Sequence, residues 1–363
     1  MRGEVDPQSS MFHYFSVESR IPAEHPLRRV KKLAETALSA ISGELDGLYA
    51  RTGRPSIPPE RLLKAQLLIA LYSVRSDRLF CEQLDYNLLF RWFLDLNLES
   101  GGLDQSNFSR LRERLVETDI ARRFFDEVVR LARRDKLLSS DHFTVDGTLI
   151  DAWASFKSFK RKNDDEPPKP GDGTGMVDFK GEKRSNATHQ STTDPEAKLM
   201  RKGTGQPARL SYGGHALMEN RSGLCVDLLI TDATLAEHKA ARQLLTRARR
   251  RRIHPKTLGA DKGYHVKDFV QHLREHKIKP HIARIDGRKT PGLDGRTSCT
   301  EGYKVSQRKR KRVEEIFGWL KTVGGMRKTR FIGEARTQIA AYLSAAAYNL
   351  LRIAKLQSAG SAA

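Results

Sequence analysis

Three acidic positions have the residue types and surroundings that a metal-binding active site would use. Asp146 closes the run His142-Phe143-Thr144-Val145-Asp146 and is followed by Gly147, whose missing side chain lets a ligand approach the backbone. That run alternates as a strand does, with Thr144 and Asp146 on one face and Phe143 and Val145 on the other. Asp261 closes a second β-like run, 256–260, in the setting Gly259-Ala260-Asp261-Lys262-Gly263-Tyr264. Asp151 competes with Asp146 but falls past the expected strand end. Carboxylates collected at strand ends are the hard oxygen donors that a cation such as Mg²⁺ prefers. An acid beside glycine at a strand end is equally an ordinary loop or cap residue, so neither aspartate is decisive by itself.

Helical geometry selects a third acid. The run QRKRKRVEEIFGWLK reads as a helix over 307–323, with Val313, Ile316, Phe317 and Leu320 in one apolar stripe. With Val313 at zero, Arg310, Glu314 and Lys321 fall at roughly 60°, 100° and 80°, a polar strip along the edge of that stripe. Glu315 falls at roughly 200°, away from the core. A metal-binding carboxylate has to reach the sheet carrying the aspartates and still meet solvent and substrate, which favours Glu314 over Glu315. The competing reading is a plain amphipathic helix with an Arg310–Glu314 pair at i,i+4, worth about 0.2–0.5 kcal/mol.

Other chemistries find little support. His215, His238, His265 and His281 share no zinc-like spacing and read as surface or hydrogen-bonding residues. Cys81, Cys225 and Cys299 lie too far apart to form a redox or metal motif. No glycine-rich phosphate loop, serine nucleophile elbow or cysteine–histidine arrangement is present.

The elements that must position these acids fall into two textures. Before about residue 137 the chain reads as helices: one expected over 26–48, another opening at Pro59-Glu60 after the breaker Gly53-Arg54-Pro55, others at 78–86 and 88–94, one capped by Ser106, and one over 120–134. From Asp141 onward β-like runs appear at 142–145, 210–218 and 224–231, the latter two joined by a hairpin at Asn220-Arg221-Ser222-Gly223. Alternating helices and strands follow: a helix over 237–252 ending in an arginine cluster, a strand over 256–260, a helix over 265–276 and a strand over 279–285. This pattern implies a mixed α/β sheet. Residues 157–205 are polar and read as a mobile insertion, residues 286–304 as a second polar loop, and two helices near 307–323 and 334–356 finish the chain.

Charge points to a partner. Lys and Arg number 65 against 44 Asp and Glu, a formal net charge of +21 in 363 residues, which suits contact with a polyanion. The N-terminal residues lack the basic start and apolar run of a signal peptide. The longest apolar stretch, 339–351, contains Ser344 and Asn349 and is too short to span a bilayer, so it reads as a packed helix. The expectation is a soluble, cytoplasmic, nucleoid-associated protein with no membrane partner.

The stretches TVDGTLIDAWAS, LGADKGY and RKRKRVEEIFGWLK, in that order, resemble the three catalytic blocks of bacterial insertion-sequence transposases of the DDE superfamily, and within it the group named for insertion sequence five. GRPSIPPERLLKAQLL, DQSNFSRLRERL and AAAYNLLRIAK resemble that group's N-terminal helical block and C-terminal tail, so the likeness covers about residues 50–355. Arg310, Glu314 and Lys321 match the last three positions of its tyrosine–arginine–glutamate–lysine motif, and the tyrosine position holds Gln307, with Tyr303 nearby.

The resemblance implies an α/β RNase H-like catalytic domain, a mixed five-stranded sheet with helices, preceded by an all-α N-terminal domain. The expected boundaries are 1–137 for a helical domain binding DNA ends, 138–357 for the catalytic domain, and 358–363 for a tail. It implies that Asp146, Asp261 and Glu314 bind two Mg²⁺ ions, with Mn²⁺ as a substitute, and cut and join DNA strands. Arg310 and Lys321 would hold phosphates, and Arg308, Lys309, Arg312, Arg249 and Arg250 would contact flanking double-stranded DNA. Synapsis of two transposon ends implies a homodimer or larger assembly. The alternatives are a metal-dependent nuclease of the same fold and a domesticated or inactive DNA-binding descendant.

Overall fold

The computed structural model describes residues 16–47, 56–162, 184–203 and 205–361. Eight helices come first: α1 (Val17–Arg20), α2 (Pro26–Ser39), α3 (Ser42–Asp46), α4 (Pro59–Leu71), α5 (Asp77–Tyr86), α6 (Leu88–Phe93), α7 (Gln105–Arg114) and α8 (Ile120–Arg134). Proline occupies the first turn of both α2 and α4, where its missing N–H costs nothing. α7 is capped by Asp104, whose carboxylate accepts from the Asn107 N–H at 2.7 Å, rather than by the expected Ser106. α8 buries Phe124, Phe125, Val128, Val129 and Leu131 along one stripe.

The sheet follows. Its long strands are β1 (His142–Asp151), β5 (Arg209–Glu219) and β6 (Leu224–Asp232), all antiparallel neighbours, and α9 (Glu237–Arg250) leads to β7 (Thr257–Ala260). After α10 (Lys267–Glu275) comes β8 (Lys279–Ile282); β1, β7 and β8 run parallel. The central order is β6-β5-β1-β7-β8, so the first strand lies in the middle, the second and third fold back beside it, and the last two extend the other edge. That order and those directions are RNase H-like. Short strands β2 (Phe159–Arg161) and β3 (His189–Ser191) pair with each other, and β4 (Lys198–Met200) pairs with β5, which makes the main sheet six-stranded rather than the expected five. The chain ends in α11 (Gly295–Ser298), α12 (Glu301–Lys309), α13 (Val313–Thr322) and α14 (Glu334–Ser361).

α14 joins the two halves. It packs on β6 and on α8, α4 and α2, so one apolar core runs from the helical block into the sheet. Asn349 within it donates to the Cys225 carbonyl at 2.8 Å and accepts the Cys225 N–H at 2.9 Å, which makes the polar residue in that apolar stretch a clamp onto β6. Among the described residues no helix is long and apolar enough to cross a membrane.

Other expectations change as well. β1 continues past Asp146 to Asp151, because β5 pairs with it along its whole length; Asp151 ends the strand bonded to Arg209 at 2.7 Å. The helix expected over 307–323 starts earlier, at Glu301, and is interrupted by a 3-10 turn at Arg310–Arg312. The described parts of the polar stretch 157–205 are ordered: Asp194 is fully buried and accepts the Tyr212 hydroxyl at 2.7 Å, and Phe159 stacks on His189 with centroids 5.5 Å apart. Residues 163–183 of that stretch lie outside the described residues.

Candidate active site

The sheet itself creates the site. β1 pairs with β7 only over His142–Thr144, and the last partner of Thr144 is Gly259. Beyond that point the two strands part. Asp146 shares the face of Thr144, and Asp261 stands just after β7 ends, so the two acids lie just beyond the point where the parallel pairing of β1 and β7 stops. Asp261 caps the following 3-10 turn, Lys262–Tyr264, accepting the Gly263 N–H at 2.8 Å.

α13 brings the third acid. Val313, Ile316, Phe317 and Leu320 are buried, and Glu314 and Glu315 are exposed. Lys321 donates to Thr148 Oγ1 at 2.6 Å, and Thr148 is on the same face of β1 as Asp146. α13 therefore lies along that face, with Glu314 toward Asp146, whose carboxyl feels its charge. Glu315 instead faces Arg312 at 3.4 Å. Close approach of the 3-10 turn depends on Gly259: a Cβ there would lie 3.2 Å from Arg310 Cβ and 3.3 Å from Thr144 Oγ1.

Burial pushes the Asp146 carboxyl up to about 6; the Gly147 N–H and Arg310 oppose this, while the charges of Asp261 and Glu314 add to it. A cation placed there would offset the cost of burying the Asp146 charge. All the donors are oxygens, which suits a hard divalent ion. Among the described residues only His272, Glu275 and His276 on α10 place three ligand atoms within 4.8 Å of one another. Asp146, Asp261 and Glu314 do not form so compact a set.

Gln307, at the position of the motif's tyrosine, bridges two elements. Its amide donates to the His281 carbonyl on β8, and its oxygen accepts Arg310 Nε at 3.1 Å. Tyr303 does not take over that position, since its hydroxyl is bonded to the Ile282 carbonyl at 2.8 Å. Burial, with Lys202 nearby, lowers the Lys321 ammonium below its usual range.

The basic residues divide into exposed and engaged sets. Arg308, Lys309, Arg249 and Arg250 are exposed, Arg308 within 3.8 Å of Glu301. Arg312 is turned inward, donating to the carbonyls of Asn220 at 2.5 Å and Arg221 at 2.8 Å, so it fastens the 3-10 turn to the β5–β6 hairpin. Arg251, in the same cluster as Arg249 and Arg250, is likewise inward, 2.9 Å from buried Asp227. Arg249 lies about 18 Å along α9 from Glu237, at 1.5 Å per residue.

Glu237 is the acid that sequence reasoning missed. It sits in the first turn of α9, where an acid is ordinary, and nothing in the sequence separates it from a helix-dipole residue. Its carboxylate approaches the site closely: a Cβ on Gly147 would lie 2.8 Å from Glu237 Oε1, and one on Gly263 would lie 3.5 Å from Oε2. Of the histidines, His215, His265 and His281 are buried rather than on the surface.

Comparison with known proteins gives two family matches. Residues 15–114 match a family described as a transposase domain, and residues 178–350 match the transposase DDE domain family, a span that includes Asp261 and Glu314 and begins after Asp146. Comparison with curated proteins gives no match. Similar solved structures include a piggyBac transposase synaptic complex with hairpin DNA, at 11% identity and a TM-score of 0.40, covering 92% of this chain and 76% of that one. A Mos1 transposase paired-end complex with the left transposon end gives 11% identity and a TM-score of 0.21, covering 76% and 81%.

Proposed function

This chain belongs to the DDE transposases, enzymes of DNA cleavage and strand transfer that depend on divalent metal, and from that premise we propose that Asp146, Asp261 and Glu314 are its metal-binding catalytic acids. What supports the reading is that Asp146 and Asp261 stand where β1 and β7 part and that the charges of Asp261 and Glu314 both bear on the Asp146 carboxyl. Together Asp146, Asp261 and Glu314 would hold the divalent metal, Mg²⁺ by this reading. When bound, such ions activate a water or 3′-hydroxyl and neutralise the leaving oxygen.

The chain's own groups do the rest. Gln307 holds Arg310 against β8, so the guanidinium is placed beside Asp146 to receive a scissile or adjacent phosphate. Lys321, braced on Thr148, offers a point charge farther along the same face. Exposed Arg308, Lys309, Arg249 and Arg250 would hold flanking DNA backbone. The helical block, described by its own transposase family, would read the terminal inverted repeats, and pairing of two ends calls for at least a dimer on DNA. Membership of the insertion-sequence-five group is part of this proposal.

The test is cleavage of a labelled transposon end with Mg²⁺. Asp146→Asn and Asp261→Asn should each abolish cleavage and leave end binding intact in a gel shift. Retained cleavage in either variant removes that residue from the centre.

A further inference from the structure

We propose that Glu237 is a fourth carboxylate of the metal centre, reaching it from the face of the sheet opposite Glu314, with the Tyr264 hydroxyl as its buried polar companion. The inference rests on the assignment of Asp146 and Asp261 as metal ligands.

The geometry is specific. Gly147 follows Asp146 on β1 and therefore faces the other side of the sheet. On that side Glu237 Oε1 lies 2.8 Å from where a Gly147 Cβ would be, and His215 Nδ1 lies 3.1 Å from the same point. A side chain at position 147 would force the carboxylate to shift. Glu237 Oε2 also points toward Gly263, whose Cβ position is 3.1 Å from Asp261 Oδ1. Two glycines, one after Asp146 and one after Asp261, thus open the path by which Glu237 reaches both aspartates. Glu314 comes from the α13 side and Glu237 from the α9 side, so the point where β1 and β7 part has acids on both faces.

A second observation points to a ligand there. Tyr264 is fully buried, its hydroxyl has no hydrogen-bond partner among the described residues, and the charges of Glu237, Asp146 and Asp261 all bear on it. His215, 3% exposed, bonds Thr231 through Nε2 at 3.0 Å and leaves Nδ1 unpaired beside Glu237. Buried polar atoms left without partners are uncommon and call for an occupant such as an ion with its waters.

The experiment is Mn²⁺ binding to the full chain without DNA, read by loss of the free-ion electron paramagnetic resonance signal. Asp146→Asn should weaken binding sharply, and Glu237→Gln should weaken it about 10-fold or more, on the scale at which losing a carboxylate partner affects metal sites. Glu237→Asp keeps the charge but withdraws it by one methylene, and it should also weaken binding while melting like the wild type without metal. Tyr264→Phe should give a smaller loss. If both Glu237 variants are folded and bind Mn²⁺ like the wild type while Asp146→Asn does not, the proposal is overturned and the three-acid reading stands. If Asp146→Asn also binds like the wild type, both are overturned.

Discussion

Arg251 offers a test that separates folding from DNA contact within one basic cluster. Its guanidinium is 2.9 Å from Asp227, which is 2% exposed on β6, and 2.6 Å from Asp126 on α8. It therefore ties α9 to the sheet and to the helical block at once. Arg251→Met would leave a buried carboxylate facing only Arg247 at 3.9 Å and the Leu228 N–H at 2.9 Å. Breaking a buried pair by removing one partner costs about 3–5 kcal/mol, and the remaining Arg247 argues for the lower end. The half-exposed Asp126 contact adds less than about 1 kcal/mol. In a 363-residue chain with one continuous core, a loss of about 3 kcal/mol should lower the melting temperature by roughly 4 °C.

The double variant Asp227→Asn with Arg251→Met should recover most of that loss, because no buried charge is left. The pH dependence has a definite sign. Burial raises the Asp227 carboxyl in the fold, against the pull of Arg251 and Arg247, and without Arg251 it rises further. The folded state then holds its proton more tightly than the unfolded chain, so the deficit is full at alkaline pH and shrinks as pH falls through the folded pKa. DNA binding provides the contrast. Arg249→Ala with Arg250→Ala should leave melting unchanged and flatten the slope of log affinity against log salt by about 1.8, whereas Arg251→Met should leave that slope unchanged. An Arg251→Met protein that melts like the wild type but loses DNA affinity would refute the reasoning.

Two further outcomes follow from side-chain bridges. Gln307→Leu removes the acceptor that steadies Arg310, a bond worth about 0.5–1.5 kcal/mol, so end cleavage should slow about two- to tenfold while Mn²⁺ affinity stays unchanged; unaltered cleavage would show that Arg310 needs no brace. Tyr212→Phe strips the hydroxyl from fully buried Asp194, costing about 1–3 kcal/mol, and hydrogen exchange over 189–200 should speed up more than in α14; unchanged exchange there would mean that this contact does not order the segment.

Much of this architecture was legible in the chain because it rests on short-range pattern. The apolar stripe Val313, Ile316, Phe317 and Leu320 is buried as its spacing implied, and the hairpin at 220–223 turns on Gly223 with φ +70°. What escaped depends on partners distant in sequence. The true length of β1 is set by β5, sixty or more residues away along the chain, and its half-buried residues after Asp146 show no sharp alternation. Arg247 and Arg251 look like their exposed neighbours until Asp227 appears beneath them. Glu237 was hidden because a helix start welcomes an acid whether or not it has chemistry to do.

The central claim is that metal binds where β1 and β7 part. The most direct test replaces Mg²⁺ with Fe²⁺ and generates hydroxyl radicals at the bound ion, which cut the polypeptide nearby. The cuts should fall close to residues 146, 261 and 314 and be suppressed by excess Mg²⁺. Cuts confined instead to α10 near His272 and His276, the compact donor set of the described residues, would contradict the account.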